Sequence, residues 1–528
     1  FARLDYLAAW KMAHHRTPGM AVALTDGERT LGVRAYGYAN VDAQTPLEPD
    51  ALCAIGSDGK AFTAIALLQE TEAGRLDLHV PVSRYLPWFE VQSEYAPITA
   101  HHLLTHTAGI VAGTEFATDA PYEAYALCYT RAAWPPGERF HYSDVGYKVL
   151  GLLLEAVTGK PYPEAIRSSV LEPLGMAHSE PAVTQAIRHR MAVGYAPMYD
   201  DRPPHHMHPL VPAPFVETAT GDGCIASTVE DMAAFMRMII NCGRGPNVRV
   251  LSEGSFAALI EPRAEWWPGT NYGYGIASTT ARGFLRLSHG GDVPGYNSVW
   301  RVDMDSRLGV AVLMNGPLSP GVADFALGLL RAARKGEELP PLSPAPDPHY
   351  VENAGEYAGL YTSAGGDLLI VATENGLVIR REGGAVPLEV VSEDLFQAEA
   401  PDLDLHLLQF GRDGEGVVTE VAHGPNLYTN ERHEGRAWYD SPAVWDMYQG
   451  HYRAHNPWRS NFRVYVRKGQ LLLEWPSGDE EALHPDGAGS FRVGEPDSPE
   501  RLVFDEEVDG LTLRARLSTC DYYRFFTP

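Results

Sequence analysis

Apolar residues follow helical spacing in several runs of the first two thirds of the chain and strand-like spacing in the last third. Residues 61–72 keep an apolar face through Ile65, Leu67 and Leu68 and stop near Gly74, which suits a helix end. Residues 149–157 form a second helical run, closed by Gly159 and preceded by the turn Pro135-Pro136-Gly137. Residues 283–287 and 298–302 read as strands on either side of a Gly-rich segment. The proline-rich, charged stretch 335–348 reads as a linker. Beyond it, 368–372, 376–379, 405–410 and 417–421 are short strand-like runs split by Gly, Asp and Asn.

That last third repeats itself. Tyr357-x-Gly359-x-Tyr361 returns as Tyr448-x-Gly450-x-Tyr452, and Asn375-Gly376-Leu377-Val378-Ile379 as Lys468-Gly469-Gln470-Leu471-Leu472. Phe410 before Asp413-Gly414 parallels Phe504 before Asp509-Gly510. The offsets are all about ninety residues, which predicts two copies of one small antiparallel barrel; the alternative is one continuous β-sandwich. The expected domains are 1–335, a linker at 336–350, and barrels at 351–440 and 441–528.

The formal net charge of −26 disfavours nucleic acid as a partner, because binding phosphates needs a basic surface. It suits solubility and cationic substrates. No apolar run is long enough for a membrane span. Cys53, Cys128, Cys224, Cys242 and Cys520 are scattered, without a C-x-x-C, so neither a zinc knuckle nor a disulfide framework is expected. His205-His206-Met207-His208 could bind metal. Without nearby cysteines or an HExxH helix, a solvated or cleft-lining loop is the better reading, and no metal is predicted. The chain begins at Phe1, not Met, so a trimmed start is expected; the compartment stays open.

Three segments carry candidate chemistry. In Gly56-Ser57-Asp58-Gly59-Lys60, Ser57 and Lys60 lie three apart at a predicted helix start, hence on one face. A buried lysine with a lowered pKa could take the serine's proton, and the helix N-terminus offers N–H groups to an oxyanion. The plain alternative is a serine N-cap beside a solvated lysine. In His141-Tyr142-Ser143-Asp144, Tyr142 falls in a loop just before a helix; near cations a tyrosine can act as a base, and otherwise it is a core tyrosine. In Ser288-His289-Gly290-Gly291-Asp292, glycines beside a strand admit a ligand to the backbone; the alternative is a hairpin with a surface histidine.

Together these segments resemble the serine β-lactamase and penicillin-binding family, whose set is S-x-x-K, a Tyr or Ser element, and K-T-G or an equivalent on a strand. The resemblance is closest to the branch of class C β-lactamases, D-aminopeptidases, DD-peptidases and esterases. Leu103-Leu104-Thr105-His106-Thr107-Ala108-Gly109, Leu171-Glu172-Pro173-Leu174-Gly175-Met176 and Gly221-Asp222-Gly223-Cys224 also resemble it, and the match runs over about residues 1–335. It implies an α/β fold, an antiparallel sheet flanked by helices with an α-helical subdomain, here followed by two lipocalin-like barrels. That domain order resembles the D-stereospecific aminopeptidases.

The resemblance implies an acyl-enzyme on Ser57, with Lys60 and Tyr142 sharing the proton traffic. It places the oxyanion hole at the N–H groups of Ser57 and of the residue after Gly291, Asp292. His289 keeps Tyr142 polarised or orients the leaving group. Asp144 stands where the family usually has asparagine, and is expected to pair with Lys60; His289 stands where β-lactamases have lysine. Gly290 and the acids Asp479, Glu480 and Glu481, on a Pro/Gly turn, are further substrate-contact candidates, the acids for a free amine. No cofactor is implied. The expected substrate is a short peptide or amide, with a D-residue in view; an ester is the runner-up, and a non-catalytic penicillin-binding sensor the alternative of another class. A homodimer is kept as an expectation. Specificity is expected in the loops near 112–121 and 199–215.

Overall fold

The computed structural model describes residues 1–114, 119–281, 283–342, 347–398, 400–436 and 438–526. Parts of the predicted 112–121 loop and of the linker lie outside the described residues. Two compact units emerge. The first holds Phe1–Ala196, Leu210–Leu342 and Asn456–Trp458; the second holds Pro197–Pro209, Ser343–His455 and Arg459–Pro528.

The first unit is built on a nine-stranded antiparallel sheet. Its strands are β1 (Gly19–Asp26), β2 (Thr30–Asn40), β3 (Thr45–Pro46), β4 (Ala264–Trp267), β5 (Thr270–Tyr272), β6 (Ala277–Ala281), β7 (Phe284–Val293), β8 (Tyr296–Asp303) and β9 (Leu308–Met314). They run in the order β3-β2-β1-β9-β8-β7-β6-β5-β4. Helices α1 (Ala2–His15), α2 (Gly59–Glu72), α3 (Asp144–Thr158), α4 (Val229–Ile240) and α5 (Val322–Lys335) belong to the same unit.

Strand β1 is buried along nearly its whole length, and its period of two sorts its side chains onto two cores. Met20, Val22 and Leu24 pack with Leu4 and Ala8 of α1 and with Val322 and Leu327 of α5. Ala21 and Ala23 face the larger core, which takes Phe62 and Ile65 from α2 and Met232 and Phe235 from α4. Phe62 stacks on Phe235 with ring centroids 4.6 Å apart, and Trp300 of β8 meets Phe235 edge-on at 5.5 Å. Burial on both faces holds α2, which carries Lys60, against the sheet that carries β7.

The second unit contains two closed eight-stranded antiparallel barrels. The first runs from Gly359–Ser363 to Asn426–Thr429, the second from Gly450–Arg453 to Cys520–Arg524. Closure sets aside the sandwich. The repeated tyrosines explain themselves: Tyr361 donates its hydroxyl hydrogen bond to the Tyr357 carbonyl at 2.9 Å, and Tyr452 to the Tyr448 carbonyl at 2.8 Å. Each barrel core also holds the matching phenylalanine pair, Phe396 with Phe410 and Phe491 with Phe504.

No helix among the described residues is long and apolar enough to cross a membrane. None of the five cysteines is in a disulfide.

Candidate active site

Ser57 lies in a single 3₁₀ turn, Gly56–Asp58, that runs directly into α2. Gly56 has φ of 50°, and a Cβ there would sit 2.8 Å from the Asp292 nitrogen. A Cβ at Gly291 would sit 1.8 Å from the Ile55 carbonyl. Two glycines therefore let β7 press its backbone against the nucleophile turn. Ser57, Tyr142, His289, Gly290, Gly291 and Asp292 all line one cavity of about 690 Å³, walled by Trp266 and Trp267.

Lys60 is fully buried. Its ammonium donates to Ser57 Oγ at 2.9 Å, to Asp144 Oδ1 at 2.6 Å and to the Asp222 carbonyl at 2.8 Å, which uses all three protons. Burial pulls its pKa down, but the carboxylate of Asp144, the neighbouring Tyr142 and the carboxylate of Asp222 more than offset this, and the net shift is upward. The expected lowered lysine pKa is thus corrected: Lys60 is held as an ammonium.

Tyr142 is placed by the start of α3. Ser143 is the N-cap, its hydroxyl accepting from the Gly146 N–H at 3.1 Å while donating to the Val111 carbonyl at 2.7 Å. The Ser143 N–H donates to Nδ1 of buried His106 at 3.0 Å, and the His106 ring lies 4.3 Å from that of Tyr142. The Lys60 ammonium lies 4.9 Å from the centroid of the Tyr142 ring, and Tyr142 and Ser57 line the same cavity. Burial pushes the Tyr142 pKa up to about 12 despite the nearby ammonium, so the expected partial ionisation is also corrected.

His289 is buried, with Nε2 2.9 Å from the Tyr272 hydroxyl and Nδ1 2.7 Å from the Gly290 carbonyl. These hydrogen bonds go to Tyr272 and Gly290, not to Tyr142. Burial, then the charge of Lys60, lowers its pKa to about 3, so it is a neutral ring across the neutral range.

Four groups escaped the sequence reading. Asp222 supplies a carbonyl to Lys60; its flanking glycines were the signal, since a Cβ at Gly223 would sit 2.6 Å from the Gly56 carbonyl carbon. Lys148, one turn beyond Asp144, is buried against Glu123 at 3.0 Å and Asp222 at 3.9 Å. Asp58 is fully buried, and Ser298 Oγ lies 2.7 Å from its Oδ2 and 2.8 Å from the Ile55 carbonyl. A hydroxyl has one proton, so both contacts are hydrogen bonds only if Asp58 is protonated and donates. Burial raises its pKa to about 7, which agrees. Nothing in the sequence marked Ser298.

The three acids of the second barrel lie in the second unit. Glu480 and Glu481 begin a strand, Glu480–Gly487, rather than sitting on the turn. Glu480 holds Arg467 and accepts from the Tyr465 hydroxyl at 2.6 Å; Glu481 accepts from the Trp475 indole at 2.5 Å. Asp479 is exposed and accepts from Ser477 at 2.7 Å.

A family model described as beta-lactamase matches residues 4–335. The chain belongs to the beta-lactamase family. Members of this family are serine hydrolases. Penicillin-binding protein 4 of Amycolatopsis lactamdurans is 28% identical over 368 residues, spanning 67% of this chain and 95% of that protein. Protein flp of Staphylococcus aureus is 29% identical over 202 residues, 37% of this chain and 41% of that protein. Among solved structures, the octameric penicillin-binding protein homologue from Pyrococcus abyssi aligns over 90% of this chain and 98% of its own, with 23% identity and a TM-score of 0.59. The penicillin-binding protein from Bacillus halodurans aligns over 61% and 99%, with 24% identity and a TM-score of 0.52. At these identities the two structures establish the fold alone.

Proposed function

We propose that this beta-lactamase-family protein is a serine amidase or peptidase that cleaves short peptides or amides through an acyl-enzyme on Ser57, with a preference for D-residues. The observation that carries the reading is the meeting of three groups: the Lys60 ammonium donates to Ser57 Oγ at 2.9 Å and lies 4.9 Å from the centroid of the Tyr142 ring, and Ser57 and Tyr142 line one cavity. Lys60, locked by Asp144, cannot accept the Ser57 proton. The reactive form is therefore the one in which the Lys60–Tyr142 pair has lost one proton, and the phenolate is the base. Ser57 Oγ attacks the carbonyl as its proton passes to Tyr142. The Ser57 and Asp292 N–H groups take the oxyanion, with Lys60 stabilising the developing charge. Tyr142 then protonates the departing amine, and water releases the acyl group by the reverse route.

The phenol formed when Tyr142 takes the Ser57 proton can protonate a departing amine, which an amide requires and an ester, with its readier alkoxide, needs less. The D-preference rests on domain order, a hydrolase domain followed by two barrels. The test is a panel of D-amino-acid amides, L-amides, short esters and a chromogenic cephalosporin, run beside a serine-directed activity probe. Turnover of D-amides with labelling lost in Ser57→Ala supports the proposal. Esters alone turned over would favour a carboxylesterase, and no labelling at all a binding protein. Ser57→Ala should lower turnover by several orders of magnitude with the fold retained.

A further inference from the structure

The second unit holds a histidine–carboxylate cluster that the hydrolytic chemistry leaves unused. His205 and His206 come from the segment 197–209, and Glu389 from the barrel strand Gly384–Ser392. Glu389 Oε2 lies 3.2 Å from His205 Nε2 and 3.2 Å from His206 Nδ1. The three ligand atoms all fall within 4.8 Å of one another. With metal–ligand bonds of about 2.0 Å, two ligands of a tetrahedral zinc ion sit about 3.3 Å apart, so the two short edges already have the spacing a metal needs. The His205 side chain is 2% exposed, and its Nε2 makes no well-formed hydrogen bond even with the carboxylate so near. With Nδ1 accepting from the Met207 N–H, Nε2 carries the ring proton and turns it toward the Glu389 carboxylate, a contact that a metal ion would replace.

The surroundings hold these groups in place. His349 donates through Nδ1 to the Leu388 carbonyl at 3.2 Å and turns Nε2 toward the other carboxylate oxygen of Glu389, 3.8 Å away. Such outer partners orient ligating carboxylates. Gln397, opposite Glu389 across the strand pair, donates to the Pro203 carbonyl at 3.2 Å, and Arg202 pairs with Asp404 at 2.8 Å. The segment is thus fixed to the barrel just before its histidines. One contact must open: the Met207 N–H donates to His205 Nδ1 at 3.2 Å, and a metal on Nε2 leaves the ring proton on Nδ1.

We propose that His205, His206 and Glu389 bind one divalent transition-metal ion of the zinc type, with water as the fourth ligand, and that the ion fastens segment 197–209 to the first barrel. Two imidazoles and a carboxylate suit zinc or cobalt and not magnesium or calcium.

The experiment titrates chelator-treated, full-length protein with zinc chloride by calorimetry and with cobalt chloride by visible absorption. Expected are one equivalent of zinc, the strong d–d bands of four-coordinate cobalt, and a metal-dependent rise in unfolding temperature. Glu389→Gln keeps the shape of the carboxylate and His206→Ala changes a part-exposed ring, so both variants should fold. Each should weaken zinc binding at least tenfold and abolish the rise, while His484→Ala, on another strand, should bind as the parent does. No saturable zinc binding by the parent, or equal binding in parent and both variants, overturns the proposal.

Discussion

Asp144 sets the charge on Lys60, and through it the pH dependence of the site. The carboxylate 2.6 Å from the ammonium is the largest of the charges that keep the lysine pKa above its ordinary value against burial. Asp144→Asn removes that charge, so the lysine pKa falls and the reactive form appears at lower pH. The rising limb of kcat/KM against pH should move toward acid in this variant; a limb that stays in place would show that another group sets it. Asp58 gives a second test, read in stability. Its pKa is raised from 3.8 to about 7 in the folded protein, so folding favours its protonated form. That stabilisation is complete below about pH 4 and is lost as pH rises through about 7. Asp58→Asn should flatten this part of the stability curve, measured by urea unfolding between pH 4 and 8; parallel curves for parent and variant would place the titration elsewhere. Ser57, Lys60, Tyr142, Asp144 and His289 were candidates in the sequence because three separate segments together resemble a family set, and the structure brings them to one place. Their protonation states were not legible there, because burial and neighbouring charge come from residues far away in sequence, such as Asp222 on Lys60.

The three elements that meet at the cavity depend on small local devices. Ser143 is the clearest, because its one hydroxyl caps α3 and ties that cap to Val111. Ser143→Ala should cost about 1 kcal/mol or more of stability through the lost cap. It should also loosen Tyr142 and Asp144 on either side. The expected signature is a fall in kcat larger than the stability loss alone explains, with Ser143→Thr, which keeps a hydroxyl, restoring much of it. A variant that is merely less stable but fully active when folded would confine Ser143 to the cap. The helices and barrel strands were legible because their apolar spacing is regular: α2 ends at Glu72, just before Gly74, and α3 ends at Gly159 with φ of 70°. The start of α3 was placed late, since Asp144 to Lys148 is not an apolar stripe. The nine-strand order was not legible either, because β1 pairs with β9 across nearly the whole hydrolase domain.

At the scale of the molecule, the two units have separate cores. The hydrolase unit closes two clusters around its sheet, and each barrel closes its own around an aromatic group. Chains with separate cores depart from two-state unfolding. Calorimetry should therefore resolve two transitions, and the repeated tyrosines allow them to be assigned. Tyr361→Phe removes the donor to the buried Tyr357 carbonyl, and Tyr452→Phe the donor to the Tyr448 carbonyl. Each loss should cost about 1–3 kcal/mol, because a buried carbonyl is left without its partner. Both substitutions should lower the same transition by similar amounts, since the two hydrogen bonds are copies of one device in one unit. The other transition should move instead with Phe235→Leu, which thins the aromatic packing against Phe62 and Trp300. A single transition that all three substitutions shift together would mean that the separate cores unfold as one cooperative body.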